Sequence, residues 1–137
     1  MSDSKVVQLK VVAKSHTGLV REHNEDNFAY CLDENNHHWI KQDTSMNATL
    51  DFGIFIIADG MGGSAQGEVA SDIAVTSIQN SFDQYHQNQL LHPDRLNQLL
   101  SDAILEAHFQ IKKHALQHKE SRGMGTTIVV GVFSGNK

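Results

Sequence analysis

Residues 55–71, FIIADGMGGSAQGEVAS, put one carboxylate, Asp59, at the end of an apolar run and follow it at once with glycine at 60, 62 and 63. A hard divalent cation takes oxygen ligands, and a carboxylate beside an unobstructed main-chain carbonyl offers two of them from neighbouring residues, here Asp59 and Gly60. Glycine lets the chain bend tightly enough to present both. Residues 18–27, GLVREHNEDN, hold what such a centre would need for phosphate chemistry. Glu25 and Asp26 are adjacent carboxylates, and Arg21 carries a planar guanidinium suited to a bidentate phosphate contact. Side chains alternate along a strand, so Glu25 and Asp26 ordinarily face opposite ways, and a twisted strand end is needed to bring both near one hydrated ion.

Two other readings of the stretch compete. An isolated Asp-Gly is ordinarily a turn, because glycine accepts positive φ without steric cost. Residues 60–65 also satisfy G-x-G-x-x-A between a strand and a helix, the form of a dinucleotide fingerprint. That context is poor, since Asp59 would sit beside the pyrophosphate and no second strand ends in an acid about 20 residues on. No G-x-x-x-x-G-K-[ST] phosphate loop occurs.

The elements that must hold these residues can be read from periodicity. Residues 5–13, KVVQLKVVA, are β-branched and predict a strand, and 26–32, DNFAYCL, predict a second. Residues 33–51 read as an insertion loop, rich in Asn, Asp and Ser, with Trp39 and Ile40 as a brief strand inside it. Residues 52–58, FGIFIIA, are apolar almost without alternation, as in a strand covered on both faces. The period then changes to that of a helix. Val69, Ala70, Ile73, Ala74, Ser77, Ile78, Ser81, Phe82 and Tyr85 form one stripe, and Leu96, Leu100, Ala103, Ile104, Ala107 and Ile111 another behind Pro93, out to about Lys119. Residues 126–133, TTIVVGVF, predict a last strand, and SGNK the start of a turn. Two consecutive helices between strands argue against a doubly wound parallel sheet and for an α+β fold with mainly antiparallel strands.

A chain of 137 residues, 39% hydrophobic and 20% charged, suits a single globular unit. Its 11 Lys and Arg against 16 Asp and Glu give a net charge of −5, which provides no basic field for nucleic acid or anionic lipid. A single cysteine, Cys31, cannot form an internal disulfide, and no apolar run reaches membrane-spanning length. The expectation is a cytoplasmic protein. A final strand without a partner leaves an open edge, so the chain is read as one partial domain, 1–137, able to form a homodimer through that edge.

Three ordered blocks, GLVREHNEDN (18–27), FIIADGMGGSAQGEVAS (55–71) and GMGTTIVVGV (123–132), resemble the first signature blocks of the metal-dependent protein serine/threonine phosphatases of the 2C type, most of all the bacterial branch. The resemblance implies the first half of a four-layer αββα sandwich, with antiparallel sheets and a helix pair. It implies two divalent cations, Mn²⁺ or Mg²⁺, bridged by Asp59 with the Gly60 carbonyl as a ligand of one. Glu25 and Asp26 would hold metal-bound water, Arg21 would bind the phosphate of a phosphoprotein substrate, and Cys31 would have no nucleophilic role. Asp59 and Arg21 are then the catalytic pair.

The sequence departs from that pattern at Met61, where many eukaryotic relatives have a histidine proposed as proton donor; methionine cannot titrate. The family's later GDSR-like strand and two further aspartates have no counterpart before Lys137. The expectation is therefore a phosphatase parent whose 137-residue piece is inactive or nearly so. A noncatalytic interaction module or pseudophosphatase half-domain is the alternative, and a dinucleotide-binding domain the third reading. His37 with His38, and His114 with His118, are pairs that could touch a metal but lack an evident third ligand.

Overall fold

The computed structural model describes residues 7–33, 38–50, 52–63, 65–84 and 92–134. In chain order the elements are β1 (Val7–Ala13), β2 (Asp26–Cys31), β3 (Thr44–Leu50), β4 (Phe52–Met61), α1 (Gln66–Asp83), α2 (Pro93–Gln117), a 3-10 turn (Lys119–Ser121), β5 (Gly125–Thr126) and β6 (Val129–Ser134). The apolar run after residue 51 becomes the longest strand, β4, and lies at the centre of the larger sheet. One edge of β4 pairs with β2, from Asp26 opposite Asp59 to Cys31 opposite Ile54. The other edge pairs with β6 from Phe52 to Ile57 and with β5 at Gly60 and Met61. Among the described residues every strand pairing is antiparallel, including that of β1 with β3 in a separate two-stranded sheet.

Alternation along β4 sorts its two faces. Ile54, Ile56 and Ala58 are buried in one core with Val75, Ile78 and Phe82 of α1 and Leu99 and Ala103 of α2. The opposite face carries Phe55, which stacks on Tyr30 with ring centroids 6.1 Å apart. The Tyr30 hydroxyl reaches the second sheet, hydrogen-bonding the Thr44 hydroxyl and lying 3.6 Å from Met46 Sδ. Helix pair, β2–β4–β6 sheet and β1–β3 sheet thus stack as three layers, an α+β arrangement that agrees with the first half of an αββα sandwich.

Several boundaries differ from the sequence reading. The loop expected over 33–51 contains a strand, β3, whose apolar alternation is confined to Met46, Ala48 and Leu50 and which is held in register by the valine-rich β1. Ile40 forms an isolated bridge to Tyr30, and Trp39 Nε1 donates to Asp83 Oδ1 at 2.9 Å. The strand expected over 126–133 is broken at Thr127 and Ile128. On α2 the inward residues are Leu99, Ala103 and Ala107, while Ile104 is exposed, so the stripe is rotated towards Leu99. The helix expected to reach Tyr85 ends at Asp83. Tyr85, His37 and SGNK from residue 135 onward lie outside the described residues.

Candidate active site

β4 does not stop before the aspartate: the strand runs on through Asp59 and Gly60 to Met61. The stretch is therefore not a simple Asp-Gly turn. Two neighbours hold it. On one side Gly60 N–H donates to the Glu25 carbonyl at 3.1 Å, and on the other Thr127 N–H donates to the Asp59 carbonyl at 2.8 Å. Glycine at 60 is needed for a reason other than bending. A Cβ there would lie 1.8 Å from the carbonyl oxygen of Gly67, in the first turn of α1, so the strand end and the helix touch backbone to backbone. The chain does turn into the left-handed region at Ala65, φ 63°, immediately before α1.

All five residues singled out in the sequence come together. Arg21, Glu25, Asp26, Asp59 and Gly60 line one cleft of about 400 Å³ at the ends of β2 and β4. Strand alternation explains how the adjacent acids divide. Asp26 pairs in register with Asp59, so both project from the face turned away from the helices. Glu25 turns towards α1, its Oε2 only 2.5 Å from where a Cβ on Gly67 would be. Both acids still border the cleft because it opens at the strand ends. Asn24 braces the turn, its Oδ1 accepting from Asp26 N–H at 3.1 Å and its Nδ2 donating to Ser15 Oγ at 2.7 Å.

The electrostatics are those of an anionic cluster. Partial burial raises the Asp26 carboxyl above the ordinary aspartate range, and the Asp59 charge, a hydrogen bond with Asp59 and the Glu25 charge push it the same way. Like charges facing each other across a strand pair destabilise the sheet unless something positive lies near them. Arg21 borders the same cleft and is exposed. Met61, on its rim, is two-thirds exposed and supplies no titrating group. Among the described residues no group of three or more His, Cys, Asp or Glu side chains stands assembled as a metal site.

Other sequence candidates separate from this cleft. His114 and His118 stack with ring centroids 4.1 Å apart, and the His118 ring nitrogen Nδ1 lies 3.0 Å from the His114 carbonyl. His38 is exposed. Cys31 is fully buried, its thiol donating to the Asp33 carbonyl at 3.3 Å, and burial pushes that thiol up, away from the nucleophilic thiolate. The dinucleotide reading fails on topology, since among the described residues β4 has only antiparallel neighbours and there is no βαβ unit for the fingerprint to open. A larger groove of about 610 Å³ between α1 and α2 is lined by Asp72, Asp102 and Glu106 without a basic residue, which suits no phosphate. Sequence reasoning missed Ser71, which donates to the Glu25 carbonyl from behind, and Asn27, which donates to Ser71 Oγ; a serine on an inward helix position was the available signal.

Residues 22–137 match the family model described as Protein phosphatase 2C, a span that begins one residue after Arg21. The serine/threonine phosphatase stp of Listeria welshimeri is 30% identical over 121 residues, covering 88% of this chain and 41% of that protein. The crystal structure of the Mycobacterium tuberculosis serine/threonine phosphatase PstP/Ppp superposes with a TM-score of 0.67 at 26% identity, over 96% of this chain and 44% of that one. The catalytic domain of PstP in complex with two manganese ions gives 0.64 at 27%, over 96% and 45%. The chain thus spans less than half the length of these relatives.

Proposed function

Because the chain belongs to the protein phosphatase 2C family, we propose that it carries part of the active site of a protein phosphoserine/phosphothreonine phosphatase. What carries the reading is the meeting of Arg21 with Glu25, Asp26, Asp59 and Gly60 in a single cleft. The donors fit a hard cation such as Mn²⁺ or Mg²⁺, because they are all oxygen and three of them, Glu25, Asp26 and Asp59, are carboxylates bordering one cleft. In a two-cation centre the Asp59 carboxylate and the Gly60 carbonyl would be direct ligands, and Glu25 and Asp26 would hold water beside them. The chemistry the pair supplies when bound is a water of lowered pKa and neutralisation of charge on the phosphoryl oxygens.

The chain's own residues do the positioning. Arg21 grips two phosphoryl oxygens and orients phosphorus for in-line attack. A hydrogen bond from Gly60 N–H to the Glu25 carbonyl and one from Thr127 N–H to the Asp59 carbonyl keep Asp59 and Gly60 at a fixed depth. Met61 donates no proton, so the leaving alkoxide takes its proton from water or from another residue. The substrate is a phosphoprotein, the setting the cytoplasm; among the described residues no helix is long and apolar enough to cross a membrane. The outer edge of β6, with no strand beside it among the described residues, is the place where a second copy would pair.

A noncatalytic interaction module is the second reading, favoured by the edge of β6 that has no strand beside it among the described residues. The purified chain titrated with Mn²⁺ tests the first. Paramagnetic broadening should centre on residues 21–26 and 59–61 and vanish in Asp59→Asn, with phosphoserine-peptide hydrolysis slow or absent until the family's later aspartates are supplied. Broadening centred elsewhere sinks the metal centre. A chain carrying those later aspartates that still binds phosphopeptide without hydrolysing it favours the module.

A further inference from the structure

Ser71 is fully buried on the inner face of α1, a polar residue among alanine, valine and isoleucine. A buried serine in a helix usually satisfies itself by bonding a carbonyl three or four residues back. Such a bond is available, to Glu68 O at 3.1 Å. The shorter contact leaves the helix: Ser71 Oγ lies 2.7 Å from the carbonyl of Glu25, 46 positions earlier. A hydroxyl has one proton and two lone pairs, and one lone pair is occupied. Asn27 Nδ2 donates to Ser71 Oγ at 2.7 Å and approaches Glu68 O at 3.4 Å. With the amide filling that side, the Ser71 proton is steered towards Glu25.

The Glu25 carbonyl is where three elements meet. It accepts from Ser71 Oγ of α1 and from Gly60 N–H of β4 at 3.1 Å, while belonging itself to the residue before β2. Both of its lone pairs are thereby used, which fixes the peptide between Glu25 and Asp26 and hence the directions from which both acids leave the main chain. Gly60 is fixed by the same atom. We infer that Ser71 and Asn27 are positioning residues for the cleft, acting through the Glu25 carbonyl to set Glu25, Asp26 and Gly60. The role of those three as a cation site rests on the function proposed above, whereas the hydrogen-bond relay does not.

The test uses Ser71→Ala, Asn27→Ala and Asn27→Asp, with Ile78→Val as a control that loosens the same helix far from the cleft. Asn27→Asp replaces the donor by an acceptor that competes for the Ser71 proton, so it should behave like Ser71→Ala. Two quantities are read at a temperature where all variants are folded: Mn²⁺ affinity, and amide hydrogen exchange at Gly60. The relay variants should lose about 10-fold in Mn²⁺ affinity, the usual effect of removing a group that orients a ligand, and exchange Gly60 N–H about 10-fold faster. Ile78→Val should leave both within about 2-fold even where its loss of thermal stability matches theirs. The double variant Ser71→Ala/Asn27→Ala should be no worse than Ser71→Ala alone, since Asn27 acts through the hydroxyl. Gly60 exchange unchanged in Ser71→Ala, or Mn²⁺ affinity falling no further than in Ile78→Val, would overturn the inference. If the unmutated protein binds no Mn²⁺, the functional reading falls, and Gly60 exchange still decides whether the relay positions this peptide.

Discussion

Gly67→Ala sets two effects of opposite sign against each other. Alanine is the better helix former, and in a helix interior the exchange gains about 1 kcal/mol, less in a first turn. The structure opposes it. The new Cβ would lie 2.5 Å from Glu25 Oε2, 2.7 Å from its Cδ and 2.8 Å from the Gly60 carbonyl carbon. The Glu25 carboxylate can swing aside, since it ends a flexible side chain. Gly60 cannot yield as readily, because it is strand backbone held by Glu25 on one side and β5 on the other. Against the 3.4 Å at which ordinary contact begins, the shortfall is about 0.6 Å. Overpacking of this kind costs about 1–3 kcal/mol, so the net expectation is a loss of about 1–2 kcal/mol. For a domain of this size that is a Tm about 3–8 °C lower, with Mn²⁺ affinity reduced as Glu25 is displaced. Thermal unfolding by circular dichroism and Mn²⁺ titration read the two consequences. Gly63→Ala is the comparison, since nothing lies within 4 Å of its Cβ position. A Gly67→Ala protein as stable as the parent, with undiminished Mn²⁺ affinity, would refute the reasoning.

Two further outcomes follow from the titrating groups. Asp26 is raised by burial and by Asp59, so its contribution to stability is present in full below the unfolded value and is lost as pH rises through the folded one. Without metal, Asp26→Asn should therefore raise the Tm at neutral pH, an advantage that closes below about pH 4; saturating Mn²⁺ should reverse the order, and a difference independent of pH would contradict the account. Cys31, buried with its thiol pushed up, should react with a disulfide reagent at neutral pH only at the rate of unfolding, followed as absorbance with and without denaturant; prompt reaction of the native protein would contradict that placement.

The candidate site was legible because the residues that line its cleft are concentrated in short stretches. Arg21, Glu25 and Asp26 fall within six residues, and Asp59 is marked by the apolar run before it and the glycines after it. β4 and both helices could be read from burial patterns, which sequence periodicity records directly. β3 was hidden because its alternation is only three residues long, Met46, Ala48 and Leu50 within a polar stretch, and its register comes from pairing with β1. The reason for glycine at 60 was equally invisible: a bend was expected, whereas the requirement is space for Gly67, seven residues on and one element away. The relay through Ser71 and Asn27 joins positions 44 apart, so no local pattern could announce it.

The hydrogen bonds from Thr127 to the Asp59 carbonyl connect residues 68 positions apart. Closing so long a loop is entropically slow, and β2, β4 and α1 can gather around the Glu25 carbonyl without it. During synthesis, then, a nascent chain that has not yet delivered β5 has one flank of its acidic cleft braced and the other bare. The β4–β6 ladder, from Ile57–Val129 to Phe52–Ser134, closes loops longer still, so this whole edge of β4 joins late, and competence to hold an ion should lag behind helix formation during refolding.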